Sequence, residues 1–123
     1  MNTRTLIAGK QVYVECVVDG GRLDGETAAL ELVAGCMEAG TNRLLVHGAS
    51  LPAEFFDLKT GLAGAVLLKF SNYRIRCALL LTPEQVGTGR FYEMALEANR
   101  GDELHFAYNR EEAEEWLIKN RPA

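Results

Sequence analysis

The apolar residues of this chain change period several times, and each change marks an element. TLIA (5–8) and QVYVECVV (11–18) flank Gly9-Lys10, which predicts a β-hairpin. Val12, Val14, Cys16 and Val18 share one face at period two. The turn DGGRLDG follows. From about Gly25 to Ala39 the period lengthens to that of a helix, with Ala29, Leu32, Val33, Cys36 and Met37 as its apolar stripe. Asp24 is the expected N-cap, Glu26 suits the positive end of the helix dipole, and Gly40 is the expected stop.

RLLVHG (43–48) reads as a short buried strand, and FFDLKTGLAG (55–64) leads into a helix ending near Phe70. RIRCALLL (74–81) has the near-continuous apolar character of a strand covered on both faces. A helix over Arg90–Asn99 puts Phe91, Met94, Ala95 and Ala98 on one side, with Gly101 after it. In ELHFAY (103–108), Leu104, Phe106 and Tyr108 face one way. The last helix opens on Asn109 with Glu112 three residues on, a capping-box-like pattern. Ala113, Trp116 and Leu117 form its core contact, and Pro122 lies beyond its end. The order is ββαβαβαβα. Strands separated by single helices imply a mixed, mostly parallel sheet of four or five strands with four helices and an antiparallel N-terminal edge. No linker or repeat divides residues 1–123, so a single α/β domain is expected.

Composition narrows the functional classes. The 123 residues are 48% hydrophobic and 24% charged, as globular chains are. A net charge of −4 with scattered basic residues argues against nucleic acid as a partner. No apolar run approaches the ~20 residues that span a bilayer, and the start MNTRTLIAGK is too short in apolar residues for a secretory signal. No membrane association and a cytoplasmic location are therefore expected. Cys16, Cys36 and Cys77 form no CxxC pair and sit in apolar runs, which points to buried reduced thiols rather than zinc ligands.

FFDLKTGLAG, KFSNY (69–73), EANRG (97–101) and EEAEEWL (111–117) together resemble the small bacterial family called domain of unknown function 4180, over nearly the whole chain. That resemblance implies no established activity. The element order also resembles the STAS domain of sulphate transporters and anti-sigma-factor antagonists. In the antagonists a serine opening a helix after a central strand is phosphorylated and switches partner binding. TGLAG (60–64) is similar to that helix start, with Thr60 in the switch position.

In open α/β sheets ligands bind beyond the carboxyl ends of the parallel strands. Asp19, His47, Ser50, Thr82, Glu84 and Asn109 fall near that rim, and Asp57, Lys59 and Thr60 join them if the helix starts near Thr60. Asn72, Tyr73, Asn99 and Arg100 fall at the opposite rim. Gly61 and Gly64 admit close backbone approach and an anion or phosphorylated Thr60. Equally, Thr60 caps the helix, the glycines let it lie tight on the sheet, and Phe55, Phe56 and Leu58 anchor the loop. The stretch lacks the GxxxxGK[ST] pattern of a P-loop.

His47 could serve as a base oriented by Asp57, with Lys59 beside it, but no nucleophile motif accompanies it and Ser50 lies in no G-x-S-x-G elbow. The spacing of Asp19, Asp24 and Asp57 matches no cation loop. NRG (99–101) and Asn72-Tyr73 read as helix stops, and Tyr73 with Arg100 as a partner patch. His105 reads as structural, and EEAEE (111–115) as a solvated helix face. The expectation is a STAS-like regulatory or protein-interaction module without catalysis or cofactor. A protein partner is expected, and a homodimer is the default oligomer. The alternatives are a small-ligand or anion sensor, with a possible apolar pocket under Phe55 and Phe56, or a small enzyme using His47, Asp57 and Lys59.

Overall fold

The computed structural model describes residues 2–17 and 20–119, so the expected roles of Val18, Asp19 and Pro122 lie outside the described residues. Strands β1 (Thr3–Ala8) and β2 (Gln11–Cys16) pair antiparallel through Gly9-Lys10. Gly9 has φ 59°, the positive value that a type II′ turn asks of its first central residue. Strands β3 (Arg43–His47), β4 (Arg76–Leu80) and β5 (Leu104–Ala107) follow in parallel, giving the sheet order β1-β2-β3-β4-β5.

Helices α1 (Glu26–Ala39), α2 (Leu62–Asn72), α3 (Pro83–Val86), α4 (Arg90–Ala98) and α5 (Arg110–Ile118) complete the α/β fold. The expected order thus gains one short helix, α3. It is opened by a reciprocal capping box: Thr82 Oγ1 accepts from Gln85 N–H at 3.2 Å, and Gln85 Oε1 accepts from Thr82 N–H at 3.0 Å.

Sequential parallel strands joined by crossovers of one hand place their helices on one face. Accordingly α1, α2 and α4 cover Val14, Cys16, Leu44, Val46, Cys77, Leu79 and Phe106. Helix α5 takes a different path from the other helices. It folds back over the other face, burying Ala113 and Leu117 against Tyr13, Leu45, Ala78 and Ala107. Asn109 caps α5 as expected, its Oδ1 accepting from Glu112 N–H at 2.8 Å.

The last turn of α5 carries no basic residue, and the sheet supplies the cations instead. Arg43 Nε donates to Leu117 O at 3.0 Å, and Arg76 Nη2 to Trp116 O at 2.6 Å. Arg76 is only 2% exposed; it stacks 4.0 Å over the Trp116 ring and pairs with the Asp102 carboxylate at 2.7 Å.

Three local expectations change. Gly25, not Asp24, is the N-cap of α1, and no side chain caps it. Strand β4 starts at Arg76 because Arg74, at φ 57°, takes the left-handed turn out of α2. Asn99 is not left-handed. Its side-chain amide pairs with Phe106 in both directions, donating to Phe106 O at 3.0 Å and accepting from Phe106 N–H at 2.7 Å. That amide takes the place of a neighbouring strand at Phe106 on the outer edge of β5. All three cysteines are buried and free, and burial pushes the Cys36 thiol up to about 12.

Candidate functional site

The densest group of polar side chains lies on the α5 face, near the carboxyl ends of β2 and β3. It grows from strand register. Glu15 pairs across with Arg4 of β1 and with Leu45 of β3. Two residues on, His47 points to the same face as Leu45. Glu15 is fully buried, yet its carboxylate is saturated: Arg4 Nε donates at 2.7 Å, Arg110 donates twice at 2.5 and 3.1 Å, and the His47 ring meets Oε2 directly. Arg110 also reaches Tyr13 Oη at 3.1 Å, and Tyr13 donates to Glu114 Oε2 at 2.5 Å. Arg110 and Glu114, four apart on α5, thus bracket two residues of β2.

The electrostatics follow from these contacts. Burial alone would raise the Glu15 pKa, but the hydrogen bonds from Arg110, His47 and Arg4 overcome it and hold the carboxyl at about 2. Burial, then the bond to Glu114, raises Tyr13 above its ordinary value. The hydrogen bond to Glu15 raises Arg110. Glu15 is therefore ionised at neutral pH. The arrangement orients His47 and ties the start of α5 to the sheet.

Sequence reasoning missed Glu15, Arg110 and Tyr13. The available signal was Glu15 itself, a charge inside the apolar run VYVECVV.

The partner of His47 is Glu15 rather than Asp57. Asp57 instead accepts from Lys59 N–H at 3.1 Å, shaping the loop. Asp57 and Lys59 line a cleft with Phe56, Leu58, Arg90 and Phe91 on the three-helix side of the sheet. His47 and the Asp57–Lys59 pair therefore occupy opposite faces. Phe55 is buried, packed at 5.6 Å from Phe56 and 5.9 Å from Phe91, so it anchors the loop as expected. Leu58 stays exposed and does not. Thr60 Oγ1 lies 2.7 Å from Glu54 O and 2.9 Å from Asp57 O, and accepts from Leu62 N–H at 3.2 Å. It stabilises the entry to α2, although Gly61, at φ 78°, is the N-cap. Ser50 is fully buried, with Cys16 Sγ 3.5 Å from its hydroxyl, so that hydroxyl is closed to solvent.

Gly64 is exposed on α2, and a Cβ there would meet nothing within 4 Å, so close packing does not require it. Gly64→Ala is expected to raise stability by about 0.5–1 kcal/mol, read by thermal unfolding. A loss would show a role for the bare backbone that packing does not explain.

At the other rim Asn72, Tyr73 and Arg100 are exposed, Arg100 with only a loose pairing to Glu97 at 3.7 Å. Asn99 belongs to the fold. His105 stacks on Trp116 at 5.2 Å and lies 3.0 Å from the Glu112 carboxylate. Among the described residues no group of three or more His, Cys, Asp or Glu is placed to hold a metal ion. No helix there is long and apolar enough to cross a membrane.

No curated protein and no solved structure matches the chain. One family model does, and it spans residues 8–117. With that match over nearly all of its length, the chain belongs to the family described as Domain of unknown function (DUF4180).

Proposed function

We propose that the protein is a non-enzymatic regulatory or protein-interaction module of STAS-like architecture, working in the cytoplasm, and that its first partner is a second copy of itself. The observation that carries this reading is the open edge of β1. The outer edge of β5 is bonded at Phe106 by the Asn99 amide, whereas among the described residues nothing pairs the outer side of β1, where Ile7 is 74% exposed. Val17 N–H donates to Asn2 O at 3.3 Å, which sets the hydrogen-bonding parity of the hairpin. By the alternation of antiparallel ladders, Arg4, Leu6 and Ala8 bond to β2, while the amides of Thr3, Thr5 and Ile7 point outward.

Natural edges are guarded by proline, lysine or inward charge. The only charge on β1 is Arg4, and Glu15 already engages it. A two-fold axis beside Thr5 would set Thr5 against its copy and Thr3 against Ile7, with matching faces aligned and no like charges opposed. The self-paired charges around Glu15 support the non-enzymatic part, because the groups that would act on a substrate are spent on fixing α5.

Thr5→Pro is the test. It removes an N–H directed away from β2, a position where an edge strand tolerates proline. The variant should fold and be monomeric by light scattering at concentrations where the parent is dimeric. A parent that stays monomeric, or a variant that still pairs, overturns the strand-pairing version.

A switch at Thr60 remains part of the proposal, because Thr60 is solvent-exposed. Unchanged association in both Thr60→Glu and Thr60→Ala would remove it. The second reading is chemistry at the rim by His47, favoured by the Glu15 carboxylate that orients its ring.

A further inference from the structure

We propose that the cleft between the loop after β3 and the start of α4 binds a small organic anion with a flat apolar body, an aryl carboxylate or aryl phosphate. The cleft holds about 290 Å³ and is lined by Phe56, Asp57, Leu58, Lys59, Arg90 and Phe91. The lining has two chemically distinct parts. Phe56 and Phe91, with ring centroids 5.0 Å apart and planes tilted by 58°, form an apolar wall. The buried core fixes that wall, since Phe91 also packs on Phe106 at 5.6 Å and on Phe55 at 5.9 Å.

The polar part is Lys59 and Arg90. Among the described residues no hydrogen bond or ion pair engages either side chain. Four other arginines are committed within the fold: Arg4 and Arg110 to Glu15, Arg76 to Asp102, Arg43 to Leu117. Asp57 shares the cleft, but its Oδ1 is taken by the Lys59 amide, and the two cations leave the mouth net positive.

The lining comes from the segments that follow β3 and β4, neighbouring parallel strands, and ligands of open α/β sheets gather at those carboxyl ends. Pockets for small molecules run upward from about 300 Å³, so this one suits a single ring with its charged group. Such a ligand would place the ring on Phe56 and Phe91 and the anion between Lys59 and Arg90. This site does not rest on pairing through β1, and either reading can fail alone.

The test is an amide-resolved NMR titration of the whole chain with phenylpropionate, phenyl phosphate, the uncharged phenylpropanol and inorganic phosphate. The expected result is saturable shifts at Lys59 and Arg90 with the two aryl anions, the tighter of which names the head group. Lys59→Ala and Arg90→Ala should each weaken binding about tenfold, while Lys59→Arg retains it. The same spectra report whether each variant is folded. No saturable shift, equal binding of phenylpropanol, equal binding of inorganic phosphate, or affinity unchanged in both alanine variants would overturn the proposal.

Discussion

Replacing Glu15 by alanine is expected to cost the fold about 3 kcal/mol, measured by urea unfolding at neutral pH. The carboxylate is fully buried and collects Arg4, His47 and Arg110, so its removal strands three donors at once. Those partners reach solvent, which places the cost at the lower end of what breaking a buried pair entails. The loss should fall on α5 first, because Arg110 and Glu114 tie its opening turns to β2 through Glu15 and Tyr13.

Acid supplies a second readout of the same residue. Its folded pKa of about 2 lies below the ordinary 4.5, so Glu15 contributes stability that is fully present above about pH 4.5 and lost as pH falls toward 2. A shift of that size corresponds to about 3 kcal/mol. Wild type should lose that much more than Glu15→Gln over this window. Parallel pH profiles for the two would mean that the carboxylate is not held as described.

Phe55→Ala is expected to cost about 3–5 kcal/mol, the range for deleting a fully buried aromatic ring. Phe55 packs against both Phe56 and Phe91, so its loss opens a void beneath the loop. Leu58→Ala, on the exposed side of the same loop, should change stability by no more than about 0.5 kcal/mol. Similar losses in the two variants would contradict the assignment of Phe55 as the anchor. Phe55→Ala should also loosen the wall formed by Phe56 and Phe91.

The architecture was legible because each element carries its own period. The hairpin, the apolar stripes of α1 and α4 and the cap at Asn109 all appear in the sequence before any contact is known. Helix α3 escaped because four residues hold no period, and Thr82 and Glu84 were read only as residues of the rim. The candidate site was half legible. His47 was found because a histidine at the end of an apolar strand stands out. Glu15 was not, because alternation in β2 assigns it to the polar face, and only the return of α5 onto that face buries it. The same long-range pairing explains Arg110, a residue of β5's following helix that meets a strand ninety-five positions earlier. Asn99 was read as a helix stop from local chemistry, and it is the C-cap of α4, but its bonds to the backbone of Phe106 in β5 escaped.

The account's central claim is that β1 is an association edge, and amide hydrogen exchange along that strand tests it most directly. Exchange would be followed at Thr3, Thr5 and Ile7, whose amides point outward, and at Leu6, whose amide bonds to β2, over a series of chain concentrations. The account predicts that the three outward amides become protected as the chain associates while Leu6 stays protected throughout. Outward amides that exchange at the same fast rate at every concentration, including those at which light scattering reports a dimer, would contradict it.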